Sequence, residues 1–150
     1  MIVTRALDPA FVIQHISVVE GTLSSSLLET IGRLRIRAWD ANGERPAHAP
    51  ATGSIWLDHH DDTAEHYVVE RDGIVVAAAR VSLHDREGDL PDAEITAGYT
   101  ERLKWPVASI NRLVVAPEVR RHGLACALDV KRIECRARGG GEQNPGDNPD

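Results

Sequence analysis

At 150 residues, with 42% hydrophobic and 27% charged residues, the chain is long enough for one soluble globular domain with a substantial core. Its formal net charge of -6 argues against general binding to nucleic acids or to anionic membranes. No apolar run approaches membrane-spanning length and the N-terminus lacks a secretory signal pattern, so we predict a cytoplasmic protein. The two cysteines are too few for a disulfide framework.

The first third of the chain predicts a strand followed by a helix. Residues 10–20 alternate loosely between apolar and polar side chains, which favours a strand. Capping residues precede apolar residues at mixed helical spacing, and Asp40 to Gly43 ends the pattern, so we expect a helix from about 23 to 40. Its three arginines are expected on the surface as solvated charges: Arg33, Arg35 and Arg37. Residues 44–53, with two prolines, predict a loop.

A polar cluster follows Trp56, with the sequence Asp58-His59-His60-Asp61-Asp62. Imidazole and carboxylate groups ligate zinc or manganese, so one interpretation is a metal site. The other interpretation is an acidic connection before a strand. Because the spacing repeats no recognised metal motif, we favour the connection and expect no metal.

A β-hairpin is the clearest local feature of the sequence. Two apolar runs, 66–71 and 74–83, flank Asp72-Gly73, a dipeptide typical of type I′ turns. The second run is so continuously apolar that we expect a central strand covered on both faces. Arg80 interrupts this run, and two alternatives stay open for it: an edge residue that reaches solvent, or a charge directed into a cleft.

The last part of the chain predicts a strand and a long helix. Residues 84–91 predict a polar loop and 93–103 a short helix. An apolar run from Ile110 to Val115 then ends at Ala116-Pro117, because proline cannot donate to a β-ladder. A helical pattern continues from Leu124 to about residue 138. The tail, 139–150, offers no apolar side chain to bury and is predicted to be disordered.

The segment between that strand and that helix suits an anionic ligand. The first turn of a helix has N–H groups without intrahelical partners, and the macrodipole adds partial positive charge there. Gly123 permits close approach of a ligand to the backbone, and Arg120 and Arg121 add full positive charge. These features favour a pyrophosphate group.

The same segment resembles the acetyl-coenzyme A signature of the GNAT acyltransferases. Arg120-x-x-Gly123-x-Ala125, after a strand that ends in Val-Val-Ala-Pro, matches the family pattern of Gln or Arg, two residues, Gly, one residue, and Gly or Ala. The resemblance implies an α/β (α+β) GNAT-like fold over residues 1–138, with a mixed, mostly antiparallel sheet flanked by helices. It also implies transfer of an acetyl group from acetyl-CoA to an amine of a small molecule or protein. The implied cofactor-binding residues are Leu113, Val114, Val115, Arg120, Arg121, His122, Gly123, Leu124 and Ala125.

The resemblance is incomplete after the helix that begins at Leu124. A GNAT domain continues there with a strand, a further helix and usually a hairpin, so we expect the C-terminal strands to be missing and turnover to be weak or absent. The family's usual general acid, a tyrosine on that further helix, has no counterpart. Glu94 and Tyr99 are catalytic candidates by residue type only.

Two other functions compete with acetyl transfer. One is a CoA-binding or oligomerising module without turnover. The other is an acyltransferase similar to the acyl-homoserine-lactone synthases, which would use acyl-carrier protein and S-adenosylmethionine. That looser resemblance rests on Trp56, Asp58 and the hairpin strand that contains Arg80.

The strand from Ile110 to Val115 (the motif strand) and the helix that begins at Leu124 (the motif helix) also predict self-association. A missing neighbour strand would leave one edge of the motif strand open, and such edges are templates for another chain. The helix carries two apolar stripes, one with Cys126 and Ile133 and a second with Leu124 and Leu128. We expect the second stripe to lie beside the open edge and to support a homodimer.

Overall fold

The computed structural model describes residues 6–16, 25–91, 98 and 102–139. Four strands form one antiparallel sheet in the order β1-β2-β3-β4. Their bounds are Phe11–Ile16 (β1), Glu65–Arg71 (β2), Ile74–His84 (β3) and Val107–Val115 (β4). Two helices pack against this sheet: α1, Ser25–Asp40, and α2, Leu124–Gly139. The predicted fold class is therefore confirmed, and all strand pairs among the described residues are antiparallel.

Local sequence signals fix the hairpin and the central strand as predicted. Asp72 and Gly73 both have positive φ, 54° and 77°, which is the geometry of a type I′ turn. The turn places β3 beside β2, and β3 also pairs with β4 on its other side. Residues 76–82 are buried, so the central, doubly covered strand is confirmed.

The hydrophobic core lies between the helices and the sheet. Ile31 and Leu34 of α1 and Leu124 and Leu128 of α2 are all at most 3% exposed and belong to one cluster with the sheet's alanines and valines. Burying four side chains of this size stabilises the fold by about 1.5–3 kcal/mol each. The core therefore couples both helices to the same sheet.

The faces of α2 correct the expected dimer surface. Leu124 and Leu128 pack into the core, at 2% and 0% exposure, and cannot support a contact with a second chain. The stripe that faces outward is the other one, with Cys126 exposed and Ile133 59% exposed. No strand pairs with the outer edge of β4 within the described ranges. Self-association through that edge stays a prediction.

Several predictions concern segments beyond the described residues. They include most of the short helix expected over 93–103, both catalytic candidates Glu94 and Tyr99, and the tail from residue 140 onward. Within the described part, no helix combines the length and the apolar character that crossing a membrane requires.

Candidate functional site

The loop between β4 and α2 turns the chain sharply. Ala116 ends the strand with a hydrogen bond from its N–H to the carbonyl of Val76, at 2.8 Å. A short 3-10 turn, Pro117–Val119, follows, and Arg121 and Gly123 then adopt positive φ of 68° and 77°. The Gly123 carbonyl accepts the first helical hydrogen bond, from Ala127. The amide groups of the first turn of α2 therefore lie just after the strand, as an anion site requires.

The charged side chains of this loop have different surroundings. Arg120 donates to the Asn42 side chain at 2.8 Å and to the Ala38 carbonyl at 2.9 Å, so its guanidinium caps the carboxyl end of α1. Arg121 and His122 are exposed and line an open cavity of about 390 Å³ with residues 6–9. Leu124 is buried, so only its backbone could meet a ligand.

A cleft runs between the carboxyl half of β4 and the end of α1. Its first chamber, about 230 Å³, is lined by Ala38, Trp39, Asn42, Leu113, Val114, Val115 and Arg120. A second chamber of about 170 Å³ shares Trp39, Leu113 and Val114 with the first. Its other lining residues are Arg35, Pro46, His48, Trp56 and Arg112. The first chamber is thus lined by four of the residues implied for cofactor binding: Leu113, Val114, Val115 and Arg120.

A β-bulge separates the two halves of β4. Ala78 pairs with Val114 whereas Arg80 pairs with Asn111, so β4 carries one extra residue in this interval. Arg112, inside the bulge, has a φ of 55°, and its guanidinium lies 4.5 Å from the centre of the Trp56 ring. Arg132 of α2 holds the bulge in place by donating to the carbonyls of Arg80 and Asn111, each at 3.2 Å.

Next to the bulge lies a cluster of buried and half-buried charges, which we call the Asp61 cluster: Arg35, Asp58, Asp61, Arg80 and Arg112. Asp61 accepts two hydrogen bonds from Arg35, both 2.9 Å long, and lies 3.0 Å from Arg80. Asp58 accepts from Arg80 at 2.6 Å and from Arg112 at 2.9 Å. Arg35, Asp61 and Arg80 are at most 1% exposed.

The arginines keep both carboxylates charged. Burial acts to raise the pKa of Asp61, but hydrogen bonds and charge from Arg35, with the charge of Arg80, outweigh it and lower that pKa. The same balance, with Arg80 and Arg112 as the partners, lowers the pKa of Asp58. The Asp61 cluster therefore stays ionised at neutral pH.

This arrangement corrects three sequence-based expectations. Arg35 is buried instead of solvated, whereas Arg33 and Arg37 are exposed as expected. Arg80 neither reaches solvent at an edge nor enters the cleft, because Asp58, Asp61 and Asn111 bind it in the interior. Asp58 and Asp61, expected to lie in a polar connection before a strand, instead bind the arginines of the Asp61 cluster. No group of three or more potential metal ligands is found where the structure describes the chain.

A row of polar side chains continues from Arg80 along the sheet. His84 and the Ser109 hydroxyl are 2.6 Å apart (Nε2 to Oγ), and Asn111 donates to the same hydroxyl at 3.1 Å. Arg80 in turn donates from Nε to the Asn111 side-chain oxygen at 2.8 Å. Burial lowers the pKa of His84, although a hydrogen bond to the backbone of Asp89 opposes the shift. Our sequence analysis missed this row. Its signal was the spacing of Arg80, Ser82 and His84 at every second position of a strand.

Comparisons with known proteins agree with this architecture. The sequence matches the model of the acetyltransferase (GNAT) family over residues 29–142. No curated protein matches it significantly. Among solved structures, the AHL synthase LasI has a TM-score of 0.56 at 16% identity, over 85% of this chain and 65% of that one.

Two further solved structures resemble the chain to a similar degree. ElaA from Escherichia coli has a TM-score of 0.53 at 20% identity, over 83% of this chain and 68% of that one. A GCN5-related N-acetyltransferase from Ralstonia eutropha JMP134 has a TM-score of 0.54 at 18% identity, over 86% and 78%. The chain thus spans about two thirds of the length of LasI and of ElaA. At these identities the likeness shows the fold and does not show a substrate.

The family match does not rest on the short motif alone. It includes most of α1, the strands β2 to β4, the loop at residues 120–125 and all of α2. These are the elements that form the cleft, the bulge and the helix N-terminus described above. The chain belongs to the acetyltransferase (GNAT) family.

Proposed function

We propose that the chain transfers an acetyl group from acetyl-CoA to an amine. The observation that carries this proposal is the continuous path from the backbone of the loop before α2, along β4, to the two chambers of the cleft. Pyrophosphate would bind the amide groups from Arg121 to Ala125, where positive φ at Arg121 and Gly123 turns the backbone into the helix. Arg121 and His122 are exposed there and would add charge and a hydrogen-bonding ring.

The pantetheine arm would follow β4 from Val115 towards the bulge. The outer edge of the strand has no partner within the described residues, so its N–H and C=O groups are available to an extended ligand. Leu113 and Val115 are partly exposed along this path, whereas Val114 is 5% exposed. A backbone N–H at the bulge would then polarise the thioester carbonyl.

The amine would approach from the second chamber. Trp56 and the guanidinium of Arg112 form one wall, and His48 lies 3.0 Å from Arg112 and close to the Trp56 ring. Holding the amine and the thioester together in one cleft supplies part of the rate enhancement through proximity. An ammonium nitrogen has no lone pair, so the acceptor amine must lose a proton before it attacks. The positive charge of Arg112 in this chamber favours the neutral amine.

A thiol-release assay with acetyl-CoA and a panel of small amines tests the proposal, with calorimetry to measure CoA binding in parallel. We expect CoA binding and amine-dependent thiol release. Tight CoA binding without release on any amine would support the alternative of a binding module.

The same assay distinguishes the second alternative. Release that requires an acyl-carrier protein as donor and S-adenosylmethionine as acceptor would support a lactone-synthase-like reaction. No binding of CoA and no release with any donor would reject acyl transfer altogether.

A further inference from the structure

His84 and Ser109 have the geometry of a base and the hydroxyl that it activates. The 2.6 Å separation of Nε2 and Oγ is at the short end of the range for such pairs. His84 is 2% exposed, and Ser109 is partly exposed on β4. The base is thus shielded from water while the hydroxyl can be reached.

A third group orients the hydroxyl, as an active pair requires. In the tautomer that carries its proton on Nδ1, His84 accepts the Ser109 hydroxyl proton at Nε2. On the other side, the Asn111 amide donates to Ser109 Oγ, and Arg80 fixes Asn111. One lone pair of Oγ therefore accepts from Asn111, and the second lone pair can accept the proton of an amine.

The pair also lies near the bulge, at the end of the proposed cofactor path. Ser109 and Asn111 lie on the same face of β4, immediately before the bulge at Arg112. A cofactor arm that starts at Val115 and runs towards the bulge would point its thioester at this end of the strand. Ser109 lies six positions before Val115, which corresponds to about 20 Å of strand.

We propose that Ser109 is a catalytic residue that takes the proton of the attacking amine and passes its own hydroxyl proton to His84. The inference rests on the proposed acetyl transfer. As the amine nitrogen forms its bond to the thioester carbonyl carbon, its proton moves to Ser109 Oγ, and the hydroxyl proton moves to Nε2 of His84. The C–S bond breaks, and the CoA thiolate leaves with the electron pair. The proton on His84 returns through Ser109 to the thiolate, which restores both residues.

Steady-state kinetics on the full chain test this relay. Ser109→Ala and His84→Gln should each lower kcat by about a hundredfold or more, the usual contribution of acid–base catalysis. The affinity for CoA, measured by calorimetry, should stay unchanged. Ser109→Thr retains the hydroxyl and should retain most of the activity.

The matched controls are Ser82→Ala and His15→Gln. Ser82 pairs with Ser109 across the strands, and its buried hydroxyl lacks a hydrogen-bond partner among the described residues. His15 lies on β1, far from this site in the sheet, with 40% of its side chain exposed. Both controls should keep wild-type kcat.

The pH profile separates a relay from a structural role. Among the described residues, the charged or titratable groups around His84 are His60, Arg80, Asp85 and Asp89. Neutral His84 is the active form, so kcat should fall at acidic pH, below the usual histidine value of about 6.5. His84→Gln should lose this acid limb, which a change in packing alone would not remove.

Three results would overturn the relay. One is a folded His84→Gln variant with kcat within threefold of wild type and an unchanged acid limb. Another is an acetylated Ser109 peptide in the mass spectrum during turnover, which would make Ser109 a nucleophile. A wild-type chain without acetyl transfer would overturn the proposed function and the relay together, whereas the first two results leave the proposed function intact.

Discussion

The Asp61 cluster and the loop after β4 both gather arginines, but they hold them in opposite ways. In the cluster, Asp58 and Asp61 bind three arginines, two of which lie in the interior, so most of that positive charge is neutralised by the protein itself. In the loop, Arg120 caps α1 and Arg121 is exposed beside helix amides that also carry partial positive charge. The cluster therefore stabilises the fold around the bulge, whereas the loop leaves positive charge for an anionic ligand.

The difference predicts which substitutions affect folding and which affect binding. A charge removed from the cluster leaves its partners buried and unpaired. A change in the loop alters a surface that the fold does not need.

Asp61→Ala should have the largest effect on stability. It leaves the Arg35 guanidinium without its bidentate partner and removes one of the two carboxylates that neutralise Arg80, and breaking a buried ion pair costs about 3–5 kcal/mol. Urea unfolding at neutral pH measures the loss. Asp61→Asn, which keeps a hydrogen-bond acceptor, should lose less. An alanine variant within 1 kcal/mol of wild type would show that water or relaxation compensates the arginines, and the cluster would then not be essential to the fold.

The loop is where sequence analysis succeeded, because its signals are local. Glycine at a positive φ, proline after a strand and a helix start all lie within ten residues. The hairpin turn is local in the same way. A short segment therefore predicts its own backbone, whereas CoA binding at this loop stays a prediction.

The Asp61 cluster was missed because it depends on distant parts of the chain. Arg35 and Asp61 are separated by 26 residues, and Arg80 meets them only through the register of β3. One signal was present: Arg35 shares a helix face with Ile31 and Ala38, whereas Arg37 does not. That spacing indicates that Arg35 is buried but does not identify its ion-pair partner. The catalytic candidates Glu94 and Tyr99 were chosen by residue type alone, and they stay untested.

Gly123→Val should weaken CoA binding at the loop with a modest loss of stability. Valine disfavours positive φ and adds a side chain where the ligand approaches, so we expect affinity to fall by more than tenfold, or about 1.4 kcal/mol. Calorimetry with CoA measures the loss of affinity.

Gly73→Val is the matched control for this variant. Gly73 has the same φ of 77°, and a Cβ added at either glycine meets no atom within 4 Å. The two variants should lose similar stability in thermal unfolding, but only the change at Gly123 should weaken CoA binding. Equal CoA affinity for both would remove the loop from the cofactor site.

Stability should also fall as the pH decreases below about 6.5. Burial lowers the pKa of His66, although its hydrogen bond to the Asp61 backbone opposes the shift, and Arg35 and Arg80 lower it further. Between the folded and unfolded pKa values the unfolded chain binds more protons, so folding becomes less favourable as the pH falls. His66→Gln should reduce the slope of unfolding free energy against pH between 7 and 5. The slope should not vanish, because the pKa values of His60 and His84 are lowered too. An unchanged slope would place the proton uptake at other groups.

Glu118→Ala should have the smallest effect on stability. It removes the ion pair between Glu118 and Arg37, which lies on α1 together with Arg35. Arg37 lies two residues from Arg35 and bonds Glu118 at 2.8 Å, but their side chains are 51% and 48% exposed. Exposed pairs of this kind contribute about 0.2–1 kcal/mol, because solvent screens the charges and both side chains lose freedom. Urea unfolding at low and at high salt measures the change, and added salt should shrink it further. The Asp61→Ala loss should persist in high salt, because a buried charge is screened far less. A Glu118→Ala loss as large as that of Asp61→Ala would mean that depth of burial is not what separates the two regions.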